Sequence, residues 1–325
     1  MTKFLIIGLG SMGKRRIRNL QALGHSSIVG FDARIDRRQE AEKLYGISTV
    51  AETRCISDCD AVIISTPPDL HTVYIRLAVE QGKPCFVELS LLVQDLPDLE
   101  ALAKERGVLV APSCTFRFHP SIRLIKEFVN AGSFGRITNF VYHSGQYLPD
   151  WHPWENIRDF FVSKRETSGC KEILSFELHW LTEITGFPRS LSALRGTTVD
   201  FGIDMDDTVA VSLDYERCVG VLLIDVVSRF ATRSLTMNLE RGQIRWDRES
   251  KAVRVYNAES GQWVYYPEPA GQAQHGAGEQ MYIEELRAFI AAAQGAAAYP
   301  LALSECIRIL QLVGSSENNA AGRSC

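Results

Sequence analysis

A glycine-rich segment near the start of the chain has the residue types and spacing of a phosphate-binding turn. Gly8, Gly10 and Gly13 follow a short apolar run, and a helix pattern begins directly after them. Gly8 would allow a tight turn, Gly10 would let the backbone approach a pyrophosphate, and Gly13 would allow close helix–strand packing. The N–H groups at the start of the helix favour an anion. The segment predicts a dinucleotide site, whose contacts would include Ser11 and Met12.

The next strand pattern ends in a carboxylate that affects which dinucleotide can bind. Asp32 lies about 20 residues after these glycines, where an acidic side chain accepts from the ribose hydroxyls of NAD and repels the 2′-phosphate of NADP. Arg34, Arg37 and Arg38 could hold that phosphate instead, or form a solvated helix face. We expect NAD, with Arg34 among its contacts, and keep NADP as the alternative.

Aromatic and acidic residues crowd together near the middle of the chain. Aromatic faces suit sugar rings, and carboxylates accept hydrogen bonds from hydroxyls. We therefore expect Trp151, Trp154 and Glu155 to bind a substrate. Tyr147 and His152 are candidates for proton transfer. In the alternative interpretation the segment is an Ω-loop whose aromatic side chains only pack on the domain.

A basic segment follows, and it has two interpretations. Lys164 and Arg165 could bind a phosphate or carboxylate of the substrate, or they could belong to an exposed charged loop. Lys171, a few residues further on, is another candidate for proton transfer.

The helix predicted over 172–184 carries several polar residues that could act in catalysis. Glu172, Ser175 and His179 share one stripe of this helix, and Glu177 lies on a different face. His179 is the preferred proton donor or acceptor because an unperturbed imidazole titrates near pH 6.5. Glu177 is its rival, and His179 could equally be a packing or surface residue.

No metal site is expected. His143, His152 and His179 could be imagined around a metal ion, but no spacing such as His-Glu-x-x-His supports this. The eight cysteines contain no Cys-x-x-Cys pair and are dilute in a long chain. That pattern favours reduced thiols in a cytoplasmic protein.

The elements that must position these residues alternate between strand and helix in the first third of the chain. Short apolar runs with little polar alternation predict strands, and stretches with helical periodicity separate them. This alternation indicates a parallel sheet with helices on both faces. The predicted strands are 4–7, 27–31, 61–65, 85–88 and 108–111, and the predicted helices are 12–23, 36–45, 69–81 and 95–106.

Near residue 119 the pattern changes to one helix followed by a series of strands. Gly, Asp and Asn separate several of the strands, which is typical of a meandering, mainly antiparallel sheet that is open on one face. The predicted fold is therefore α/β, with a Rossmann domain at 1–118 and an α+β domain at 119–325. The predicted helices are 120–131, 172–184, 280–294 and 303–315, and the predicted strands are 137–147, 192–199, 208–215, 219–227, 234–239, 243–247, 253–256 and 263–266.

Two further motifs carry a resemblance to a known family. They read Ser65-Thr66-Pro67-Pro68-Asp69-Leu70-His71 and Gly82-Lys83-Pro84-Cys85-Phe86-Val87-Glu88. With the glycine-rich segment they resemble the Gfo/Idh/MocA family of nicotinamide-dependent oxidoreductases, strongly over the first third of the chain and loosely beyond it. The resemblance implies a sugar, polyol or sugar nucleotide bound on the sheet of the second domain, against the nicotinamide. It also implies cofactor contacts by Ser65, Thr66, Pro67, His71 and Glu88, the last with the nicotinamide ribose.

The chain departs from this family at a position important for proton transfer. The family usually reads Glu-Lys-Pro where this chain reads Glu88-Leu89-Ser90, and Leu89 cannot carry a proton. The segment Asp-Trp-His-Pro-Trp-Glu at 150–155 resembles a branch found among bacterial surface-polysaccharide and acidic-sugar genes, in which the lysine is also missing. Either another residue supplies the base, or the activity differs, or it is lost.

The family's Asp and His, four residues apart on the helix of the second domain, have no clean match here. If His179 is the family histidine, Ser175 replaces the aspartate, whereas spacing from the flanking glycines places Glu177 nearer the histidine position. Both alignments stay open. The main hypothesis is an NAD(P)-dependent oxidoreductase that acts on CH–OH groups of a sugar-derived substrate. The alternatives are a tightly held NAD that supports elimination or epimerisation, and a non-catalytic sensor of NAD or sugar.

Composition excludes several classes of protein. The 325 residues are 46% apolar and 23% charged, with a net charge of −4, which argues against a disordered chain and against a whole-protein footprint for nucleic acid. No run of 18 apolar residues predicts a membrane span, and the N-terminus does not read as a signal peptide. We expect a cytoplasmic protein without nucleic-acid or membrane partners, and the family resemblance implies a homodimer or homotetramer.

Overall fold

The computed structural model of the chain describes residues 2–90, 92–151, 153, 156–159, 161–269 and 277–318. These residues form two compact units. The first comprises Met1–Thr115 and Gly271–Arg308, and the second comprises Phe116–Ala270 and Ile309–Cys325. The predicted division at residue 118 assumes two continuous segments, whereas the first unit also contains a helix from near the end of the chain. That helix joins the first unit because Leu286 and Phe289 lie in its hydrophobic core.

The first unit is built on a six-stranded sheet in which all neighbouring strands are parallel, as predicted. The strand order is β3-β2-β1-β4-β5-β6. The apolar side chains of the central strands are buried on both faces, which explains why the sequence shows little alternation there. The strands are β1 (Phe4–Ile7), β2 (Ile28–Phe31), β3 (Ser48–Val50), β4 (Ala61–Ile64), β5 (Cys85–Val87) and β6 (Val110–Pro112).

The sequence patterns located the helices of both units to within a few residues. The short strand β3 was missed because its three residues form no apolar run. The helices are α1 (Ser11–Ala22), α2 (Ile35–Tyr45), α3 (His71–Glu80), α4 (Leu96–Arg106), α5 (Pro120–Ala131), α6 (Gly169–Thr185), α7 (Ala277–Ala293) and α8 (Leu303–Asn318). In the described part of the chain, no helix is both long and apolar enough to cross a membrane.

The second unit contains an eight-stranded sheet that is mainly antiparallel, as predicted. Its order is β14-β13-β12-β11-β7-β10-β9-β8, and the central pair β7 and β10 is parallel. The strands are β7 (Ile137–Tyr147), β8 (Ser190–Gly196), β9 (Thr208–Asp214), β10 (Val219–Asp225), β11 (Val227–Leu239), β12 (Gly242–Asp247), β13 (Ala252–Asn257) and β14 (Gln262–Pro267).

The two faces of this sheet differ in exposure. On one face, β7 and β10 bury side chains such as Tyr142 and Leu222 beneath α6. On the other, Val141, Val221 and Leu194 are 54%, 42% and 70% exposed. The second face, called the open face below, therefore presents apolar side chains to solvent within the described part of the chain.

Candidate functional site

The glycine-rich turn between β1 and α1 can be formed only by glycine at two positions. Gly8 has a φ of 94°, and a Cβ there would lie 2.5 Å from the carbonyl oxygen of Ser65. A Cβ on Gly13 would overlap the carbonyl oxygen of Gly8. Because both positions lack a side chain, the turn packs directly against the end of β4. The start of α1 therefore lies at the carboxyl edge of the sheet.

The space above Gly10 is open, which suits the approach of a ligand. A Cβ at Gly10 would have only the Arg37 guanidinium nearby, at 3.7 Å, among the described atoms. No side chain caps α1, so the amides of its first turn, at Ser11 and Met12, can serve an anion. The buried Thr66 Oγ1 also has no hydrogen-bond partner among the described residues. The turn therefore fits the pyrophosphate of a dinucleotide.

Asp32 connects the end of β2 to the glycine-rich turn. Its buried carboxylate accepts the Leu9 N–H at 2.8 Å and the Arg34 N–H at 2.9 Å. The Arg37 guanidinium lies 3.7 Å from the same carboxylate, and Arg38 donates to the backbone oxygen of Asp32 at 2.6 Å. Two arginines therefore surround the acidic residue on which the choice between NAD and NADP was predicted to depend.

Arg34, a predicted cofactor contact, pairs with an acidic residue of its own helix start. Its guanidinium forms an exposed pair with Asp36 and lowers the pKa of that carboxyl to about 2.

His71 acts within the fold, because both of its ring nitrogens are engaged. Nε2 lies 2.9 Å from the backbone oxygen of Thr66, and Nδ1 lies 3.1 Å from Ser90 Oγ. Burial lowers the pKa of the imidazole, so the ring is neutral near pH 7. His71 thereby fixes the Ser65–Pro67 loop to the segment after β5. By holding Thr66 in place, it would position this predicted cofactor contact.

Glu88, predicted to contact a ribose, belongs to a buried ionic cluster. Arg16 donates to its two carboxylate oxygens at 2.6 and 2.9 Å, and also contacts Glu285 of α7 at 2.9 Å. Glu285 accepts further bonds from the Cys114 N–H and the Thr115 hydroxyl. Burial lowers the pKa of Arg16, but the two carboxylates more than offset this and raise it overall.

In the second unit, Glu177 lies at the centre of a satisfied hydrogen-bond network. Four side chains donate to its carboxylate: Tyr142 at 2.7 Å, Ser144 at 3.0 Å, Trp180 at 2.6 Å and Arg233 at 2.9 Å. The carboxylate is fully buried. Such a group anchors α6 to β7 and β11. This arrangement is that of a positioning residue and does not suit the proton carrier that the sequence suggested.

His179 is also buried, and its ring bonds to its own helix. Nδ1 donates to the Ser175 backbone oxygen at 2.5 Å, and the His179 carbonyl accepts from Arg117 at 2.8 Å. Burial lowers the pKa of the imidazole to about 4. The ring is therefore neutral at pH 7, and the unperturbed value on which its predicted role rested does not apply.

The remaining catalytic and substrate candidates have varied surroundings. Lys171 is buried, Lys164 is exposed, and Arg165 pairs with two acidic residues, Asp204 and Asp206. Tyr147 is half-buried, with the Arg229 guanidinium 3.8 Å above its ring. Trp151 packs on α6, whereas His152, Trp154 and Glu155 lie outside the described residues.

One polar pair on the open face joins two residues that are far apart in the sequence. His143 Nε2 lies 2.8 Å from Asp225 Oδ2, across the parallel pair β7 and β10. Only the pairing of these strands reveals it, since 82 residues separate the two positions. Among the described residues, no group of three His, Cys, Asp or Glu side chains is arranged to hold a metal ion.

Glu172, at the start of α6, has surroundings that the sequence pattern did not predict. Burial raises the pKa of its carboxyl from 4.5 to about 7, and its Oε2 has no partner among the described residues. Its place on the stripe with Ser175 and His179 was visible in the sequence, but its lack of partners was not.

Comparison with known proteins agrees with this architecture. Residues 2–113 match the family model of the Gfo/Idh/MocA oxidoreductases with an NAD-binding Rossmann fold, and residues 122–245 match the model of the family's C-terminal domain. A levoglucosan dehydrogenase solved in complex with NADH and levoglucosan has a TM-score of 0.84 and 20% identity, covering 99% of this chain and 98% of that one.

Two curated relatives match over shorter segments. The dTDP-3,4-didehydro-2,6-dideoxy-alpha-D-glucose 3-reductase of Actinomadura kijaniata is 34% identical over 87 residues, which is 26% of each chain. The scyllo-inositol 2-dehydrogenase (NAD(+)) of Bacillus subtilis (strain 168) is 30% identical over 148 residues, 43% of this chain and 42% of the relative. The aligned segments thus span less than half the length of either relative. Since two models of one family together match more than half of the chain, it belongs to the Gfo/Idh/MocA family and carries that family's NAD-binding Rossmann domain.

Proposed function

We propose that the protein is an NAD-dependent oxidoreductase that acts on a CH–OH group of a sugar, a polyol or a sugar nucleotide. The observation that carries the proposal is the turn at Gly10, where the described residues leave open space beside the uncapped amides of α1. The named relatives act on inositols, levoglucosan or a nucleotide-linked deoxysugar, which supports the substrate class.

The first unit would hold the cofactor through its backbone and its buried charges. The amides at the start of α1 would bind the pyrophosphate, and the Asp32 carboxylate would accept from the adenosine ribose. Arg16 donates to both carboxylate oxygens of Glu88 and fixes their orientation, so that Glu88 would accept a hydrogen bond from a second ribose. When bound, NAD supplies the hydride acceptor of the reaction, or NADH the donor.

Proton transfer would need a group other than residue 89, because Leu89 has no titratable atom. Glu177 and His179 would support the site by holding α6 in place. Tyr147, Lys171 and His152 stay candidates for the proton carrier. The missing lysine also favours a second candidate function, in which NAD stays bound and an oxidation–reduction cycle supports elimination or epimerisation.

We further propose that two or four copies of the chain associate through the open face. The exposed apolar side chains of β7, β8 and β10 support this, since solvent-facing residues of this size and number are typical of an interaction surface.

A fluorescence titration tests the cofactor proposal. NADH and NADPH are added separately to wild type, Gly10→Arg and Gly278→Arg, and nicotinamide emission is followed. The arginine at position 10 fills the space for the pyrophosphate, so we expect affinity for NADH to fall at least about 100-fold, on the scale of a lost charge-assisted contact. Gly278, whose Cβ position has no described atom within 4 Å beyond its own helix and its chain neighbours, is the matched control and should bind like wild type. Equal binding by all three proteins would refute the proposed site.

The same samples then receive keto-sugars and sugar nucleotides. Loss of NADH emission with one of them identifies the reaction. Substrate consumption without net change in NADH absorbance would favour the cycle with tightly held NAD.

A further inference from the structure

Two segments of the proposed cofactor site lie just beyond the point where the pairing of β4 with β5 ends. The Glu88 N–H donates to the Ile64 carbonyl oxygen at 3.0 Å and closes this ladder at the carboxyl edge of the sheet. The loop of residues 65–67 and the segment of residues 88–90 continue past that bond, outside the strands. Their positions relative to each other therefore depend on side chains.

The side chain of His71 joins the two segments in one direction only. Its Nε2 lies 2.9 Å from the Thr66 carbonyl oxygen, and its Nδ1 lies 3.1 Å from Ser90 Oγ. Because a carbonyl oxygen can only accept, Nε2 carries the ring proton. Burial lowers the pKa of the imidazole and favours its neutral form, so Nδ1 is bare and the Ser90 hydroxyl donates to it. His71 and Ser90 are only 1% and 4% exposed, which shields this bridge from water.

Ser90 is also a position where the chain departs from the Glu-Lys-Pro pattern of its family. A proline would fix the backbone φ through its ring, without a hydroxyl. A serine leaves that angle free to rotate, so a fixed position for the segment requires an anchor outside it. The hydrogen bond to His71 Nδ1 is such an anchor.

We propose that Ser90 and His71 are positioning residues for the nicotinamide half of the cofactor. They hold Thr66 and the end of the segment that carries Glu88, the carboxylate proposed to accept from the second ribose. The groups proposed for the other half are the amides at the start of α1 and Asp32, which has its own backbone donors. The inference rests on the proposed function and names the residues that set the position of the nicotinamide end.

Calorimetric titration with NADH and with ADP tests this division. ADP contains the adenosine and the pyrophosphate but no nicotinamide riboside. For Ser90→Ala we expect NADH affinity to fall about tenfold, the scale of one lost buried hydrogen bond, and ADP affinity to stay within about twofold of wild type. Ser90→Thr keeps the hydroxyl and should restore NADH affinity. Ser48→Ala, which changes an exposed serine on β3, is the matched control and should bind both ligands like wild type.

The two ligands separate a positioning role from a general structural one. Unchanged NADH affinity in Ser90→Ala, or an equal loss of affinity for NADH and ADP, would overturn the positioning role, because a damaged fold affects both ligands. Either result leaves the cofactor proposal standing, since wild type still binds NADH. A wild type that binds neither ligand would overturn both proposals.

Nitrogen-15 NMR of the histidine rings checks the bridge in the apo protein. The His71 signals are assigned by their loss in His71→Gln. We expect the Nε2–H tautomer in wild type and a shifted Nδ1 resonance in Ser90→Ala, where the ring loses its donor. A ring protonated on Nδ1, or an Nδ1 resonance that Ser90→Ala leaves in place, would refute the bridge.

Discussion

At the scale of single residues, the glutamate carboxylates of this protein differ in how many hydrogen-bond partners the described residues give them. The carboxylates of Glu177 and Glu285 each accept at least three hydrogen bonds or ion contacts in the core. Glu172 differs from both, since its carboxyl is held by burial alone at a pKa of about 7. Residue type did not distinguish these three glutamates, and only their surroundings do.

The raised pKa of Glu172 predicts how its contribution to stability varies with pH. The pKa of this carboxyl is higher in the folded state than in the unfolded state, where it is 4.5. The contribution of such a group to stability is fully present at pH values below the unfolded-state pKa. That contribution is lost as the pH rises through about 7. We therefore expect the unfolding free energy of Glu172→Gln, taken relative to that of wild type, to rise by up to about 3 kcal/mol between pH 5 and pH 8.

Urea unfolding of both proteins at the two pH values measures this change. Comparing the two proteins cancels His179, whose depressed pKa acts with the opposite sign over part of the same range. A stability difference that is the same at both values would contradict the prediction.

At the scale of elements, α7 is part of the cofactor-binding unit although it lies at the other end of the chain. Glu285 on this helix contacts Arg16 of α1 and the loop after β6. Arg16 in turn orients Glu88 at the end of β5. The helix thereby links the predicted cofactor contacts after β5 to the start of α1.

Glu285→Gln tests this link. The substitution leaves the buried Arg16 with one carboxylate fewer, so we expect a loss of about 2–4 kcal/mol in unfolding free energy. It should also weaken NADH binding, because Glu88 loses its fixed orientation. Glu284→Gln on the same helix removes a half-exposed pair with Arg287 and is the control, expected to change stability by less than about 0.5 kcal/mol. Equal effects of the two variants would show that the cluster does not hold the unit together.

At the scale of the whole molecule, the open face is the feature that bears on assembly. A charge placed there would be desolvated in an interface, so Val221→Arg should shift the wild-type oligomer to a smaller species. Size-exclusion chromatography with light scattering measures the mass. Ile35→Arg replaces an equally apolar side chain, 61% exposed, outside this face and should leave the mass unchanged. A monomeric wild type would end the oligomer prediction.

The sequence alone determined the parallel sheet of the first unit, the mainly antiparallel sheet of the second, the bounds of most helices and the place of the glycine-rich turn. These features are local: buried apolar runs, helical periodicity and glycines required by backbone geometry are all encoded within a few neighbouring residues. The tertiary structure alone decided the roles of the polar side chains. Arg16 donates hydrogen bonds to Glu88, which lies 72 residues further along the chain. Glu177 accepts hydrogen bonds from Tyr142 and Arg233, which are 35 and 56 residues away in the sequence. Glutamate is therefore a fully hydrogen-bonded anchor at Glu177, whereas at Glu172 burial raises its pKa to about 7. Burial and partners, which depend on the whole fold, set the properties of a charge.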